Sequence, residues 1–258
     1  ARSVYDGRAT RAWIAKEDTA SPTVSLQSLF VTWTIGAMEG RDVMVTDIPN
    51  AFIQADMPQD INGSDRTIMK ITGLMVEVLI KINPDVYAQH VVYEKGQKVL
   101  YVEVLKAIYG TLVAALLWYK KFKKDLESAG FVFNPYDPCV ANKMVNGSQQ
   151  TIRFHMDDVC SSHKDKKVND EFLRWLNDQY GKLGEVEATR GSKHQYLGID
   201  IELKQDEVII SMKDYLKGMI REFPLKLKSK NKVSSPASSD MFSEDKSKKL
   251  SEKEKEIF

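Results

Sequence analysis

Residues 151–160 have the sequence Thr-Ile-Arg-Phe-His-Met-Asp-Asp-Val-Cys, and this stretch decides the fold. The apolar side chains of Ile152 and Phe154 predict β-structure, yet two adjacent aspartates, Asp157 and Asp158, follow directly. Two neighbouring carboxylates buried in a sheet would repel each other and lose hydration. The pair is therefore expected at a hairpin tip, or where a metal cation neutralises its charge. An ordinary solvated turn remains an alternative explanation of the pair.

A third carboxylate, Asp47, ends the short apolar segment 43–46, which predicts a buried strand that breaks before Pro49. If the two strand regions are neighbours in a sheet, Asp47 and the Asp157 hairpin converge. Oxygen ligands alone favour Mg²⁺ over zinc or copper. Two such ions would suit in-line phosphoryl or nucleotidyl transfer. Asp47 as a simple strand-end cap is the other possibility.

The remaining pattern predicts interleaved helices and strands, which defines an α+β fold. Apolar side chains at three- and four-residue steps predict helices near residues 26–37, 115–126, 168–180 and 214–220, the last with Asp214 as its cap. Strands are predicted at residues 43–46, 67–71, 76–82, 98–104, 139–144, 151–161, 196–203 and 208–212. Asn146-Gly147 is a strong hairpin signal. Residues 225–258 are poor in apolar side chains, which predicts a polar linker or tail.

Composition excludes several classes of protein. The chain has 258 residues, with 37 Lys and Arg against 36 Asp and Glu, so it is neither a uniformly basic nucleic-acid coat nor an acidic disordered chain. Its longest apolar run, residues 112–119, is far shorter than the roughly 20 residues of a membrane span. The start of the sequence shows no signal-peptide pattern. We therefore expect no membrane partner.

Common catalytic fingerprints are missing from the sequence. Cys139 and Cys160 lie far apart without a Cys-x-x-Cys pattern, which argues for free thiols and against a zinc site. Neither a P-loop nor a Gly-x-Gly-x-x-Gly motif is present, and the Gly-x-Ser-x-Gly elbow of hydrolases is absent. The three aspartates remain the strongest chemical signal.

A series of short motifs surrounds these aspartates in a defined order. They are Asp47 with Ala51-Phe52, Leu105-Lys106-Ala107-Ile108-Tyr109-Gly110, Leu117-Trp118-Tyr119, Gly130-Phe131, Asp137-Pro138-Cys139, the Asp157-Asp158 pair and Tyr196-Leu197-Gly198-Ile199. Together they resemble the reverse transcriptase of copia-type LTR retrotransposons, over roughly residues 6–240.

This resemblance implies a right-hand polymerase fold in residues 1–224, with fingers, an antiparallel palm sheet backed by helices, and the start of a thumb. Residues 225–258 would form a linker or part of a thumb and connection. The implied activity is RNA- and DNA-directed DNA synthesis from dNTPs on a primed RNA or DNA template, with two Mg²⁺ or Mn²⁺ ions. The chain would be a fragment of a larger polyprotein, beside integrase and RNase H regions, in cytoplasmic virus-like particles.

The resemblance also implies roles for the matching residues. Asp47, Asp157 and Asp158 would be the catalytic metal-binding aspartates, and Ile48 would lend its backbone carbonyl to the second metal. Phe52 would be the bulky gate that clashes with a ribose 2′-OH.

Other matches place the nucleotide and the primer. Ala51 and Tyr109-Gly110 would contact the incoming nucleotide, and Arg8 and Arg11 would reach the triphosphate from a fingers strand. The primer side would be formed by the grip Tyr196, Leu197 and Gly198, with His155 and Met156 at the primer 3′-end.

The sequence departs from the family pattern at two places. His155-Met156 replaces the usual Tyr-Val before the aspartates. Residues 112–116 are apolar where many relatives have Lys-Gln-Ala-Pro-Arg, so two cations are lost. The lysines of residues 120–124 would either replace those phosphate contacts or form a solvated helix face.

Charge is also unevenly distributed. Residues 213–232 hold seven basic and two acidic side chains, a net charge of +5, where a thumb would meet a duplex backbone. Two other functions remain open: a catalytically inactive, domesticated polymerase fold that binds nucleic acid or serves as a scaffold, and an RNA-dependent RNA polymerase. Phe52 argues against the latter, because a steric gate has no use when ribonucleotides are the substrate.

Overall fold

A computed structural model describes residues 5–12, 14–15, 19–58 and 66–222. The chain divides into two compact units, residues 1–210 and 211–258. The first unit has mixed helices and antiparallel sheets, which confirms the predicted α+β class. The predicted tail 225–258 lies outside the described residues.

The strands in chain order are β1 (Asp42–Asp47), β2 (Ile68–Thr72), β3 (Val92–Glu94), β4 (Gln97–Glu103), β5 (Val132–Phe133), β6 (Val140–Val145), β7 (Ser148–His155), β8 (Asp158–His163), β9 (Ala188–Arg190), β10 (Lys193–Tyr196), β11 (Ile199–Lys204) and β12 (Glu207–Ser211). The α-helices are α1 (Leu26–Met38), α2 (Leu74–Ile82), α3 (Pro84–Tyr87), α4 (Ala114–Ser128), α5 (Lys166–Tyr180) and α6 (Lys213–Glu222). The largest sheet has the order β5-β6-β7-β8-β1-β9, and two three-stranded sheets have the orders β2-β4-β3 and β10-β11-β12.

Local sequence signals explain where several helices begin and end. The Ser25 hydroxyl accepts a hydrogen bond from the Ser28 N–H at the start of α1. The Asp165 carboxylate does the same for the Lys167 N–H at the start of α5. Gly130 follows α4 with a φ of 87°, a left-handed conformation that glycine adopts without steric cost. These caps satisfy backbone groups that a helix end leaves without partners.

The six-stranded sheet buries an aromatic core against α4 and α5. Phe122 is fully buried, and its ring centroid lies 5.4 Å from that of Trp118, 4.9 Å from Phe154 and 5.9 Å from Tyr180. Trp118 and Phe122 come from α4, Tyr180 from α5 and Phe154 from β7. These rings therefore fix both helices to the strand that leads into the aspartate pair.

Replacing Phe122 by Ala is expected to lower the free energy of unfolding by about 3–5 kcal/mol, because it leaves a cavity among three aromatic rings. Urea denaturation followed by circular dichroism would measure the loss. Phe30→Ala is the matched control, since Phe30 lies on α1 with 42% of its surface exposed, and we expect it to cost less than about 1 kcal/mol. Equal losses for the two variants would contradict this picture of the core.

The opposite face of the sheet packs against α1 through a buried cation. Arg153 alternates with Ile152 and Phe154 along β7, and its guanidinium carbon lies 4.1 Å from the centroid of a Trp33 ring. Arg153 is fully buried, and within the described residues its guanidinium nitrogens have no hydrogen-bond partner. His194 of β10 also packs on Trp33, with ring centroids 5.4 Å apart. The Nε2 atom of His194 donates to the Gly191 carbonyl at 2.8 Å.

His194 makes the stability of this layer sensitive to acid. Burial lowers the pKa of His194 below its usual 6.5 and the nearby Arg153 charge adds to this, while the Gly191 carbonyl and the Asp42 carboxylate oppose it. The unfolded chain then takes up a proton more readily than the folded one, so stability falls as the pH drops below about 6.5.

We expect His194→Gln to flatten the pH dependence of the unfolding free energy between pH 7 and 5, because glutamine does not titrate and keeps an N–H donor for Gly191. Chemical denaturation of both proteins at several pH values would show the difference. Parallel curves for the wild type and the variant would disprove the role of His194.

Three predicted elements differ from the structure. Residues 76–82, predicted as a strand, belong to helix α2, because a short, continuous apolar run fits either element and Gly73 with a φ of 66° starts a helix here. The predicted strand 196–203 is a hairpin with its turn at Leu197-Gly198. The predicted segment 151–161 is divided at Met156-Asp157 into two strands, which is the hairpin tip expected for the aspartate pair.

Further predictions can be compared with the structure. Asp214 lies in the first turn of α6 and not before it. Both cysteines are free and buried, as predicted. Across the described parts of the chain, no helix has the length and apolar character needed to cross a membrane.

Candidate active site

The aspartate pair lies at the tip of the β7–β8 hairpin. His155 and Asp158 form the last pair of the ladder, so Met156 and Asp157 make a two-residue turn. Met156 has a φ of 55°, the left-handed conformation that two-residue hairpin turns need and that methionine adopts with difficulty. The tight turn therefore projects Asp157 from the end of the sheet.

Strand β1 brings the third aspartate to the same place. β1 pairs with β8 in a register that sets Asp47 directly opposite Asp158. Directly paired residues of an antiparallel ladder project to the same face, so both carboxylates lie on one side of the sheet. Beyond the ladder, the Ile48 N–H donates to the Asp157 carbonyl at 3.0 Å. The structure thus brings together the three aspartates that the sequence singled out.

The electrostatics of the site show that the carboxylates interact. Burial raises the pKa of Asp158 above its usual 3.8, and the negative charges of Asp157 and Asp47 raise it further, while His155 opposes them. A divalent cation bound between these carboxylates would reduce their mutual repulsion. Among the described residues, however, no three His, Cys, Asp or Glu side chains are gathered closely enough to form a metal site as they stand.

An aromatic pair borders the aspartates. Phe52 lies in the 3-10 helix Ala51–Gln54 that follows β1, and its ring centroid is 4.5 Å from that of Tyr109. The Tyr109 hydroxyl donates to Asp157 Oδ2 at 3.5 Å. Phe52 is 9% exposed and Ala51 is fully buried. The structure therefore places Phe52, Tyr109 and the aspartate pair in one continuous site.

The N-terminal segment packs on the loop at Tyr109-Gly110. The Tyr5 N–H donates to the Tyr109 carbonyl at 2.8 Å. A Cβ on Gly110, which has a φ of 95°, would lie 1.9 Å from the Tyr5 carbonyl oxygen, and one on Gly7 would lie 2.3 Å from the Gly110 oxygen. Two glycines are thus required for the close approach of these two backbones.

This segment carries the two predicted triphosphate ligands. Arg8 and Arg11 lie in a 3-10 helix, Gly7–Ala12, and not in the expected strand. Arg8 pairs with the Asp6 carboxylate at 2.7 Å, and both side chains are largely exposed. An exposed pair of this kind is weak, so Arg8 can exchange partners at little cost.

The residues predicted as a primer grip form the tight turn between β10 and β11. Leu197 and Gly198 both have positive φ, 52° and 74°. Tyr196, by contrast, is 2% exposed, and its hydroxyl donates to the Asp158 carbonyl at 3.3 Å. The surface of this turn is therefore formed by Leu197 and Gly198, while Tyr196 reaches the aspartate hairpin from inside.

Trp118 is a residue of the site whose contact the sequence analysis missed. Its indole Nε1–H donates to the Met156 carbonyl at 2.8 Å, although the sequence placed Trp118 simply in the apolar stripe of α4. A buried tryptophan normally needs a partner for its N–H, and this was the available signal. His155 at the same tip is half-buried, and its Nδ1 has no hydrogen-bond partner within the described residues.

Two of the four lysines of α4 form ion pairs along the helix. Lys121 Nζ lies 2.7 Å from Asp125 Oδ2, and Lys123 Nζ lies 3.9 Å from Glu127 Oε1. Both pairs have the four-residue spacing of exposed helix faces. These two pairs are typical of a charged helix face, whereas Lys120 and Lys124 are exposed.

Comparison with known proteins identifies the class of protein. Residues 1–238 match the family described as reverse transcriptase (RNA-dependent DNA polymerase). The chain is 22% identical over 229 residues to the retrovirus-related Pol polyprotein from transposon TNT 1-94 of Nicotiana tabacum, a match that covers 88% of the chain and 15% of that polyprotein. The chain therefore belongs to the reverse transcriptase family, in the form carried by copia-type retrotransposon polyproteins.

Solved structures include distant neighbours, of which one is a telomerase. The structure of telomerase from Candida albicans in complex with a TWJ fragment of telomeric RNA has a TM-score of 0.38 and 9% sequence identity, over 78% of this chain and 37% of that one. The family assignment rests on the sequence match over residues 1–238.

Proposed function

We propose that the chain is an RNA- and DNA-directed DNA polymerase that extends a primer with dNTPs by two-metal nucleotidyl transfer. The proposal rests mainly on the register of β1 with β8, which sets Asp47 opposite Asp158 beside the hairpin tip at Asp157. In this assignment the six-stranded sheet is the palm, the β2-β4-β3 sheet with α2 and α3 belongs to the fingers, and α6 begins the thumb.

The donor set at the tip fits hard divalent cations, since it consists of carboxylate and carbonyl oxygens. Asp47, Asp157 and the Ile48 carbonyl would hold two Mg²⁺ or Mn²⁺ ions, with Asp158 in support. Bound there, the ions would activate the primer 3′-OH and offset the charge of the leaving pyrophosphate. Burial, and then the charges of Asp157 and Asp47, raise the pKa of Asp158, and a cation bound at the tip would offset this penalty on its ionised form.

The protein's own residues would select and orient the substrates. Phe52, held against Tyr109, would exclude a ribose 2′-OH. Tyr109-Gly110 would pack on the incoming nucleotide and the template base, with Ala51 behind the gate. The contacts of Tyr5 and Gly7 hold the segment that carries Arg8 and Arg11 against this loop. Arg8, released from Asp6, would offset charge at the triphosphate together with Arg11.

The primer would lie along the other side of the aspartates. Leu197 and Gly198 would contact its backbone as the exposed part of the grip, and Tyr196 would support them. His155 and Met156 would lie beside the primer 3′-end. The imidazole of His155 in place of a tyrosine would retain a flat ring there.

The biological setting follows from the same proposal. The chain spans about 15% of the length of the polyprotein it matches. Integrase and RNase H regions are proposed as neighbours in a parent polyprotein, and cytoplasmic virus-like particles as the location. A primed RNA or DNA template and dNTPs are the proposed substrates.

Primer extension on a poly-A template with Mg²⁺ or Mn²⁺ tests the proposal directly. Incorporation of dTTP by the wild type, and its loss in Asp157→Asn, would establish the polymerase. Equal, negligible incorporation by both proteins would instead favour the inactive, domesticated fold that binds nucleic acid or serves as a scaffold.

A further inference from the structure

Three successive backbone carbonyls of the aspartate hairpin each accept a hydrogen bond from a different part of the fold. The Met156 carbonyl accepts from the Trp118 indole at 2.8 Å, and the Asp157 carbonyl from the Ile48 N–H at 3.0 Å. The Asp158 carbonyl accepts from the Tyr196 hydroxyl at 3.3 Å. The three donors come from α4, from the end of β1 and from β10, so the turn is fixed from three directions.

The two side-chain donors are themselves firmly held. Trp118 is fully buried and stacks on Phe122, with Tyr180 packed edge-on at 5.2 Å. The Tyr180 hydroxyl donates to the Asp125 carboxylate, which also pairs with Lys121. Tyr196 is 2% exposed and packs edge-on against a buried tryptophan of α1. Neither donor can swing away without disturbing the core.

The turn needs such support for two reasons. Met156 occupies a left-handed conformation that a side chain of its size persists in only when the surrounding structure holds it. The Asp157 and Asp158 carboxylates also repel each other, and a loose turn would let them move apart. Fixing consecutive carbonyls opposes both effects without placing any further charge at the site.

We propose that Trp118 and Tyr196 are positioning residues that hold the Asp157-Asp158 turn in the conformation that binds divalent cations. The hydrogen bonds of Trp118 and Tyr196 to the turn form a clamp, which is a property of the fold without bound metal. Only its catalytic consequence rests on the proposed function. Neither residue touches the substrate or the cations in this proposal; each acts through a backbone carbonyl.

Two variants remove the donors. Trp118→Phe replaces the indole with a smaller ring that has no N–H, and Tyr196→Phe keeps the ring and loses only the hydroxyl. Matched controls exist for both. Trp175 is a half-buried tryptophan of α5 whose ring packs on Phe172 and Tyr180, outside the hairpin turn. Tyr119 is a buried tyrosine whose hydroxyl donates at 3.1 Å to the carbonyl of Pro138, outside the hairpin turn.

The first measurement needs neither metal nor activity. Hydrogen–deuterium exchange of peptides covering residues 155–159 should be about tenfold faster in Trp118→Phe and Tyr196→Phe than in Trp175→Phe and Tyr119→Phe. Exchange in β4, which contains none of these residues, should be the same in all four variants, which shows that each of them is folded. Equal exchange of the 155–159 peptides in clamp variants and controls would overturn the proposal.

The second measurement asks what the clamp does for the site. The Mn²⁺ dissociation constant by electron paramagnetic resonance, and the Mg²⁺ concentration for half-maximal primer extension, should rise about tenfold in the two clamp variants. Saturating Mg²⁺ should restore their kcat, whereas a merely destabilised protein would lose kcat at every Mg²⁺ concentration. A lowered kcat with an unchanged Mg²⁺ requirement would rule out positioning.

These measurements distinguish a failure of the polymerase proposal from a failure of the clamp proposal. If the wild type binds Mn²⁺ but makes no DNA, the polymerase proposal fails, while the exchange and Mn²⁺ results still decide the clamp. If the wild type extends primers and the clamp variants match their controls in every measurement, the polymerase stands and the clamp is wrong.

Discussion

Asp157→Asn is expected to reduce primer extension by at least about a thousandfold, with little effect on folding. Asparagine has the shape of aspartate, and its side-chain oxygen can still accept the Tyr109 hydroxyl hydrogen bond. The variant loses the negative charge that would hold the cations, and it relieves the repulsion that raises the pKa of Asp158. The loss should therefore fall on kcat and not on the folded fraction.

A matched control for this variant lies in another hairpin turn. Asp206 is an exposed aspartate with a φ of 58° between β11 and β12. Asp206→Asn should extend primers at the wild-type rate, measured by steady-state incorporation of dTTP. Activity of Asp157→Asn within tenfold of that control would exclude Asp157 as a principal ligand.

The second large effect concerns the choice of sugar. We expect Phe52→Ala to lower the preference for dNTPs over rNTPs about a hundredfold, measured as the ratio of the two kcat/KM values. The Phe52 ring is fixed against Tyr109 beside Asp157, so its removal would open space where the 2′-OH of a ribonucleotide would lie. The increase should appear in rNTP incorporation, while dNTP incorporation falls modestly.

Phe52→Tyr distinguishes the proposed steric role of the Phe52 ring from its contribution to core packing. The tyrosine keeps the ring and should retain the wild-type discrimination, whereas Phe52→Ala also removes part of the core, because Phe52 is 9% exposed. Thermal unfolding of both variants would confirm that the assay compares folded proteins. An unchanged preference in Phe52→Ala would argue against the gate, and an RNA polymerase would then become the better explanation.

Much of the candidate site could be predicted from local sequence. A carboxylate pair in an apolar β-pattern, and another carboxylate where a strand breaks before proline, are costly placements that indicate function at Asp157 and Asp47. Gly110 belonged to a motif with Tyr109, and the structure shows a left-handed backbone in close contact with Tyr5. These features depend on a residue and its immediate neighbours.

The sequence-based predictions failed where the usual turn chemistry was missing. Asn146-Gly147 was recognised because both residues favour positive φ, and it joins β6 to β7. Met156-Asp157 and Leu197-Gly198 make equally tight turns, but methionine and leucine are poor left-handed residues. The first turn was expected only from the charge of the aspartate pair, and the second was missed, so residues 196–203 were predicted as one strand. Tertiary contacts, such as the Trp118 hydrogen bond to Met156, support the turn where the sequence does not.

The amino-acid sequence by itself determined the α+β class, the family and the identity of the three candidate aspartates. Hydrophobic periodicity, charge placement and motif order can each be recognised in the linear sequence. The tertiary structure alone decided that β1 lies beside β8, across more than a hundred residues, with Asp47 opposite Asp158. It also decided that Tyr196 and Trp118 reach the aspartate turn from β10 and α4. Strand pairing and side-chain hydrogen bonds between distant segments depend on how the whole core packs, and no local pattern encodes them.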